Sequence, residues 1–394
     1  MPQKISPLTS VRFFLASFVL FHHSVRTFFP VFSGRGTHGV PEDFLGIVSF
    51  AFPVAVSFFY LLSGYVLSLV YLRDGQVLDK IRFFAARFAR LYPLYFVTLV
   101  AATPELLAWE VQRHGMKSGM IKTVEIFAAN VAMTQVWYPR RLLRINAPSW
   151  SLCGEIFFYM CFPLLGTLLW KLRGTRLWIT ALALYVGGQA LVWGMRTQLS
   201  FEMAMVLPPF HLSTFALGIL LARGQTLQQA QSRERIRVWQ ANAVLGLSVG
   251  GVVLSVCLVP WFRLSAPYNN GLLAPIFAGF IWALSAVSTP LSRWLCGRWL
   301  VALGNSSYAL YLIHTPMLAL FLHFRWVSHA CYPVYLALCV GLSLLSFQYF
   351  ETPVRLWLVE RFHMHSIRNT SGTNLIMPSS PSVTMAGMQF PPAP

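Results

Sequence analysis

The sequence predicts an all-α polytopic membrane protein, with about ten transmembrane helices of about 20 residues in one bundle and a disordered C-terminal tail. Three observations carry this expectation. Of 394 residues, 56% are hydrophobic and only 11% are charged, less than half the charged share of an ordinary soluble domain. The mean hydropathy is +0.59. The apolar residues also come in long blocks, each matching the roughly 20 residues that cross a hydrocarbon core, and not in alternating or amphipathic patterns. This composition excludes disorder, collagen and coiled coil, and it argues against a soluble enzyme of several domains.

The first block, residues 11–32, follows Lys4 and has the length of a leader peptide. Arg12, His22 and His23 interrupt it and no clear small-x-small cleavage pattern follows, so it is expected to stay as the first helix. Further spanning blocks are 44–72, 83–102, 151–170, 177–195, 206–222, 241–262, 271–289, 300–324 and 331–350. A weaker block, 121–137, carries Lys122, Glu125, Asn130 and Gln135, so an amphipathic or re-entrant helix is expected there. Residues 1–362 then form the transmembrane domain. Residues 363–394, rich in Ser, Pro, Thr, Asn and Met without apolar periodicity, read as a disordered cytoplasmic tail.

Lys and Arg total 30 against 12 Asp and Glu, a net charge of +18. In a soluble protein this would suggest nucleic acid. Here the basic residues lie between apolar blocks, so membrane lipid is the expected partner and nucleic acid is not. With ten helices, most of the cations fall on the side that receives both termini. The positive-inside rule therefore places both termini in the cytoplasm and the chain in the cell inner membrane; a spanning 121–137 would invert everything after it. The six cysteines show no C-x-x-C spacing, so neither a metal site nor a disulfide framework is expected, and no bound cofactor.

Ionisable groups inside apolar helices are costly and mark the first place to look for chemistry. Arg12 and His23 are eleven residues apart, about 20° in azimuth and about 16 Å in rise, so they share one helix face. An interfacial guanidinium and an imidazole at mid-depth suit a long anionic substrate with a reactive end; a snorkelling arginine and a packed histidine are the alternative. His22 is turned roughly 80° away from Arg12. Glu155 is the acid placed well inside a spanning block, to orient a histidine, hold a hydroxyl or brace an arginine. Arg87 and Arg90, three apart, can grip a phosphate together or simply flank the membrane. The run Gly304 to Pro316 puts Ser306, Ser307, Tyr308, Tyr311 and His314 into an apolar helix, and Glu351 is expected at the interface.

These pieces, in this order, resemble the acyltransferase 3 family, integral membrane acyltransferases of the O-antigen acetylase type, over about residues 8–355. The matching runs are Leu8 to Arg12 with His23, Ser57 to Ser63-Gly64, Arg87-x-x-Arg90-x-x-Pro93, and Trp150-Ser151-x-x-x-Glu155-x-x-x-Tyr159-x-x-x-Pro163. They continue with Phe215-x-x-Gly218, Gly304-x-Ser306-Ser307-Tyr308-x-x-Tyr311-Leu312-x-His314, and Phe350-Glu351-x-Pro353. In two places the chain departs from the pattern. Thr9 and Ser10 stand where the family commonly has Asp-Gly, so a different local turn before Arg12 is expected, and His22 adds a second imidazole.

The resemblance implies transfer of an acyl group, most often acetyl, from cytoplasmic acyl-CoA as co-substrate to a hydroxyl of a carbohydrate or glycolipid acceptor. It implies an essential arginine and histidine in the first helix and an Arg-x-x-Arg pair serving the donor, here Arg12, His23, Arg87 and Arg90. On this reading His23, Arg12 and Glu155 are catalytic, and Arg87, Arg90 and Ser63 bind the donor. Ser151, Tyr308 and His314 are candidates for the acceptor or the oxyanion. A rival class is a secondary transporter or lipid-linked flippase, against which stands the lack of two matching halves with broken helices. A non-catalytic scaffold would leave the aligned Arg12, His23 and Glu155 without purpose.

Overall fold

The computed structural model describes residues 2–30, 54–72, 74–138, 144–195, 198–231, 237–262 and 268–371. Among these residues the regular elements are all helical. The α-helices of eight or more residues are α1 (Pro2–Phe28), α2 (Val54–Tyr71), α3 (Lys80–His114), α4 (Met116–Val131), α5 (Trp150–Leu169), α6 (Gly174–Met195) and α7 (Leu212–Gln231). Then follow α8 (Val238–Phe262), α9 (Ala274–Ala286), α10 (Arg298–Asn305), α11 (Ser307–His323), α12 (Tyr332–Ser346) and α13 (Thr352–Ser371).

Among the described residues, seven helical stretches are long and apolar enough to cross a membrane: Ile5–Phe28, Val54–Tyr71, Lys80–His114, Ala147–Leu169, Gly174–Met195, Val238–Leu258 and His329–Phe362. Each falls on an apolar block of the sequence. The other three expected spans are also helical, as α7, α9 and α11, but they do not reach that length and hydropathy. α9 has 13 residues and α11 has 17, while the second half of α7 carries Arg223, Gln225 and Gln228. Their position explains this. Phe215, Ala216, Ile219 and Leu220 of α7, and Ser307 to Leu312 of α11, are buried by protein. A helix walled by other helices has its polar groups satisfied by neighbours and needs no continuous apolar surface. The outer helices show the opposite: Trp178, Ile179 and Leu182 of α6 and Leu247, Val253 and Leu254 of α8 face outward.

The centre is α2 against α7. A Cβ on Gly64 would stand 2.1 Å from the carbonyl oxygen of Phe215, and one on Gly218 would stand 2.1 Å from that of Leu61. Small residues let two backbones close up where no water is left to drive association. Gly304 does the same for α1 and α10, since its Cβ would meet the Thr9 carbonyl oxygen at 2.1 Å. Ser10 Oγ donates to the Leu295 carbonyl at 2.6 Å. The residues at the departure from the family pattern thus seat α1, and no turn precedes Arg12 because α1 is unbroken through Thr9 and Ser10.

The weak block is a helix that begins earlier, at Met116, and folds back along α3. Gly115, at φ +78°, reverses the chain. Tyr92 and Tyr95 hydroxyls of α3 donate to the carbonyls of Val131 and Asn130 at 3.1 and 2.7 Å. With 16 residues, α4 is too short to cross, in line with the expectation of an amphipathic or re-entrant helix. Beside it, the buried carboxylate of Glu110 accepts from Arg144 at 3.2 Å, and Arg113 and Arg144 each lie 4.7 Å from the Trp109 ring centroid. α12 passes into α13 through one widened π-type turn, Phe347–Glu351. α13 runs on through the expected tail boundary at 363 to Ser371, and the expected tail beyond it lies outside the described residues.

Candidate active site

A cavity of about 280 Å³ opens between α1, α2, α3, α11 and the α12–α13 junction. Arg12, Arg90 and Arg355 line it, with Thr9, Tyr308 and Glu351. The C-terminal contribution follows from spacing. Phe347, Glu351 and Arg355 recur every four residues, a step that drifts by about 40° in a regular α-helix. The widened turn reduces that drift and keeps all three on the cavity face. Three guanidiniums face one carboxylate, so the cavity carries excess positive charge and suits an anion. Glu351 Oε1 is buried there without a hydrogen-bond partner.

This arrangement brings together only part of the expected donor set. Glu351, expected at the interface, lines the cavity with Arg12 and Arg90. Arg87 does not line it: its Nη2 donates to the Tyr71 hydroxyl at 3.0 Å, and its guanidinium carbon sits 5.4 Å from that ring's centroid. Residues three apart on a helix differ by about 60°, which is enough to turn Arg87 away from Arg90's cavity. Ser63 lies outside it too, although its neighbours Leu62 and Val66 line the wall. Arg355 joins the cavity from outside the expected set.

A second, smaller space of about 40 Å³ lies deeper. Arg12 and Tyr308 border both spaces, joined here by Tyr60, Ser151, Glu155, Ser307 and Tyr311. Glu155 Oε2 accepts from the Tyr159 hydroxyl at 2.7 Å. Arg12 lines the smaller space with Glu155 and the larger one with Glu351. The expected oxyanion donors are already engaged. Tyr308 donates to the Leu91 carbonyl at 2.6 Å. Ser151 and Tyr311 hydroxyls lie 2.8 Å apart, and both reach the Pro148 carbonyl, at 3.1 and 3.0 Å.

Further along α1 stands His23, and on α11 opposite it His314. Their rings are 5.2 Å apart, and His314 Nε2 lies 3.2 Å from His23 Nδ1. His23 Nδ1 also lies 2.9 Å from the Val19 carbonyl oxygen, and His314 Nδ1 lies 3.2 Å from that of Leu310. His22 meets His23 edge-on, with centroids 5.0 Å apart. Glu155 belongs to Arg12's end, so the partner of His23 is His314. Arg12 and His23 both face α11, as their spacing predicts, and Tyr308, Tyr311 and His314 line the helix between them at three-residue steps.

Two residues outside the expected set hold α11 in place. Pro316 offers no N–H, so the Leu312 carbonyl one turn before it loses its helical donor. Asn146 Nδ2 replaces that donor at 3.2 Å, from a backbone at φ +43°. Tyr335 donates its hydroxyl to the His314 carbonyl at 3.0 Å. The proline in the His314 motif signals the vacant carbonyl; nothing in the sequence signals its partner.

Comparison with known proteins gives a family profile described as Acyltransferase domain, of the acyltransferase 3 type, over residues 8–348. The chain is similar to the acyltransferase MdmB of Streptomyces mycarofaciens, 28% identical over 330 residues, which covers 79% of this chain and 78% of that one. It is also similar to the O-acetyltransferase OatA of Staphylococcus aureus, 24% identical over 323 residues, which covers 77% of this chain and 52% of that one. The match thus spans about half the length of OatA. No solved structure matches the chain.

Proposed function

Because the chain belongs to the acyltransferase 3 family, we propose that it moves an acyl group, acetyl first of all, from cytoplasmic acyl-CoA to a hydroxyl of a carbohydrate or glycosylated acceptor. The observation that supports this best is the polar line from the arginine cavity to His23. In this reading the donor's phosphates lie against Arg12, Arg90 and Arg355, where planar guanidiniums offer paired N–H donors. The pantetheine arm follows α11 past Tyr308 and Tyr311, and its thioester comes to rest near His23. Neutral His23 takes the proton of the acceptor hydroxyl as its oxygen attacks the thioester carbon. The C–S bond then breaks, and the leaving thiolate recovers a proton, giving an ester and free CoA. Glu155 braces Arg12, and Arg87 stands behind the donor site on Tyr71.

The acetyl group and the oxygen acceptor are supported by the name of OatA as an O-acetyltransferase. Placement in the inner membrane with cytoplasmic termini is supported by the charge distribution and by where the chain ends meet. Ile5 and Arg355 line one cavity, so both ends of the described chain leave the same end of the bundle. The test is purified, reconstituted protein with acetyl-CoA labelled in its acetyl group. Labelled ester on a glycan acceptor, and loss of that ester from surface glycans of cells lacking the protein, is the expected result. Movement of a glycolipid across the bilayer with no consumption of acetyl-CoA would support the transporter reading instead.

A further inference from the structure

We propose that His314 is a positioning residue for His23: it fixes which nitrogen of His23 is basic and shares the charge that His23 acquires. This rests on the reading of His23 as the base. The argument is a count of protons. A carbonyl oxygen only accepts, so the contact of His23 Nδ1 with the Val19 oxygen at 2.9 Å puts the ring proton on Nδ1. The contact of His314 Nδ1 with the Leu310 oxygen at 3.2 Å puts that ring's proton on Nδ1 as well. Neutral His314 therefore has a bare lone pair at Nε2, and this atom lies 3.2 Å from His23 Nδ1–H. The His23 proton is shared between the Val19 oxygen and His314 Nε2, and His23 Nε2 is left bare as the basic atom.

When His23 Nε2 accepts the acceptor's proton, the ring becomes an imidazolium and Nδ1–H becomes a charged donor. A charge-assisted bond is shorter and about twice as strong as a neutral one, so the bond to His314 tightens as the charge forms. A carboxylate does this work in a Ser-His-Asp triad. Here a neutral imidazole does it and places no second permanent charge at membrane depth. His314 is built to stay put. It is wholly buried, Tyr311 meets its ring edge-on at 6.2 Å between centroids, and Tyr335 holds its carbonyl. His22 meets the His23 ring, while Tyr311 and Tyr335 pack on His314.

The experiment uses the full chain reconstituted in bilayers, with ¹⁵N-labelled histidine for magnetic resonance and acetyl transfer for kinetics. The wild-type His23 signal, identified by its loss in His23→Ala, is expected as the Nδ1–H tautomer with a coupling across the pair. His314→Phe removes the acceptor and keeps a ring. Its kcat should fall by about 10²-fold or more, with the KM for acetyl-CoA unchanged. His314→Gln restores an accepting oxygen and should recover part of the loss. An Nε2–H tautomer of His23 in the wild type overturns the proposal, and that measurement needs no variant at 314 to fold. So does wild-type kcat in His314→Phe beside an inactive His23→Ala. An active, well-inserted His23→Ala instead overturns the reading of His23 on which the proposal rests.

Discussion

Arg12 borders two cavities at once, and this gives its replacement a broader effect than that of the other arginines. Arg12→Ala opens the anion site and the smaller space beside Glu155 together, so both kcat and the KM for acyl-CoA should worsen. Arg90→Ala and Arg355→Ala touch only the outer cavity and should raise the KM for acyl-CoA by about tenfold or more, with acceptor affinity unchanged, as expected for loss of a charged hydrogen bond worth about 1.5–3 kcal/mol. Their lysine variants should recover only part, because lysine lacks the planar fork. Arg87→Ala should change donor KM less than either, and equal loss at all three positions would return Arg87 to the cavity. The adjacent histidines separate in the same way. His23→Ala should cost at least the ~10²–10⁴-fold of general base catalysis, and His22→Ala far less, with membrane abundance measured for each.

Among the helices, close backbone packing makes the sharpest forecast. Gly64→Ala and Gly218→Ala each push a Cβ into a carbonyl oxygen that belongs to a helix backbone and has no flexible end to yield. Overpacking of this kind costs about 1–3 kcal/mol or more, so both variants should lose thermal stability in detergent, while Gly246→Ala on α8, with open space at its Cβ, should not. The lipid-facing helices were legible in the sequence because hydropathy records what faces lipid, and α6 and α8 face little else. The second half of α7 was not. Arg223 is 1% exposed and pairs with Asp74 at 2.7 Å, and Gln225 bonds Ser285 at 3.0 Å, partners that sequence distance hides. Within the site, the 3.6-residue period was enough to put Arg12 and His23 on one face. It gave no sign that His23 meets His314, 291 positions away, because that contact is set by how α1 and α11 pack. Arg355 was masked by its resemblance to an ordinary flanking cation.

At the scale of the whole molecule, the meeting of Ile5 and Arg355 at the arginine cavity predicts that both termini lie on one side of the membrane. Reporters at the N-terminus and after residue 371 should give the same sidedness, and a reporter in the loop at 198–200 the opposite one. A split between the two ends would add or remove a crossing. Truncation from residue 372 onward should leave insertion and transfer near normal, since that composition buries too little apolar surface to offset its ordering entropy.

The α3–α4 hairpin has a mechanical side. α3 has 35 residues and so is about 52 Å long at 1.5 Å per residue, against a hydrocarbon core of about 30 Å. Even tilted by about 20° it overshoots, and a mast tipped by Gly115 projects from the bilayer. The mast is tied to the interior. Its Glu110 holds Arg144, two residues on Asn146 holds the Leu312 carbonyl, and two residues beyond that carbonyl stands His314. Two hydrogen bonds and two short runs of chain therefore connect the tip to the histidine pair. An antibody fragment raised against the exposed residues around Lys117 should alter turnover without touching either substrate, and Glu110→Leu, by removing the acceptor of Arg144, should make turnover indifferent to it.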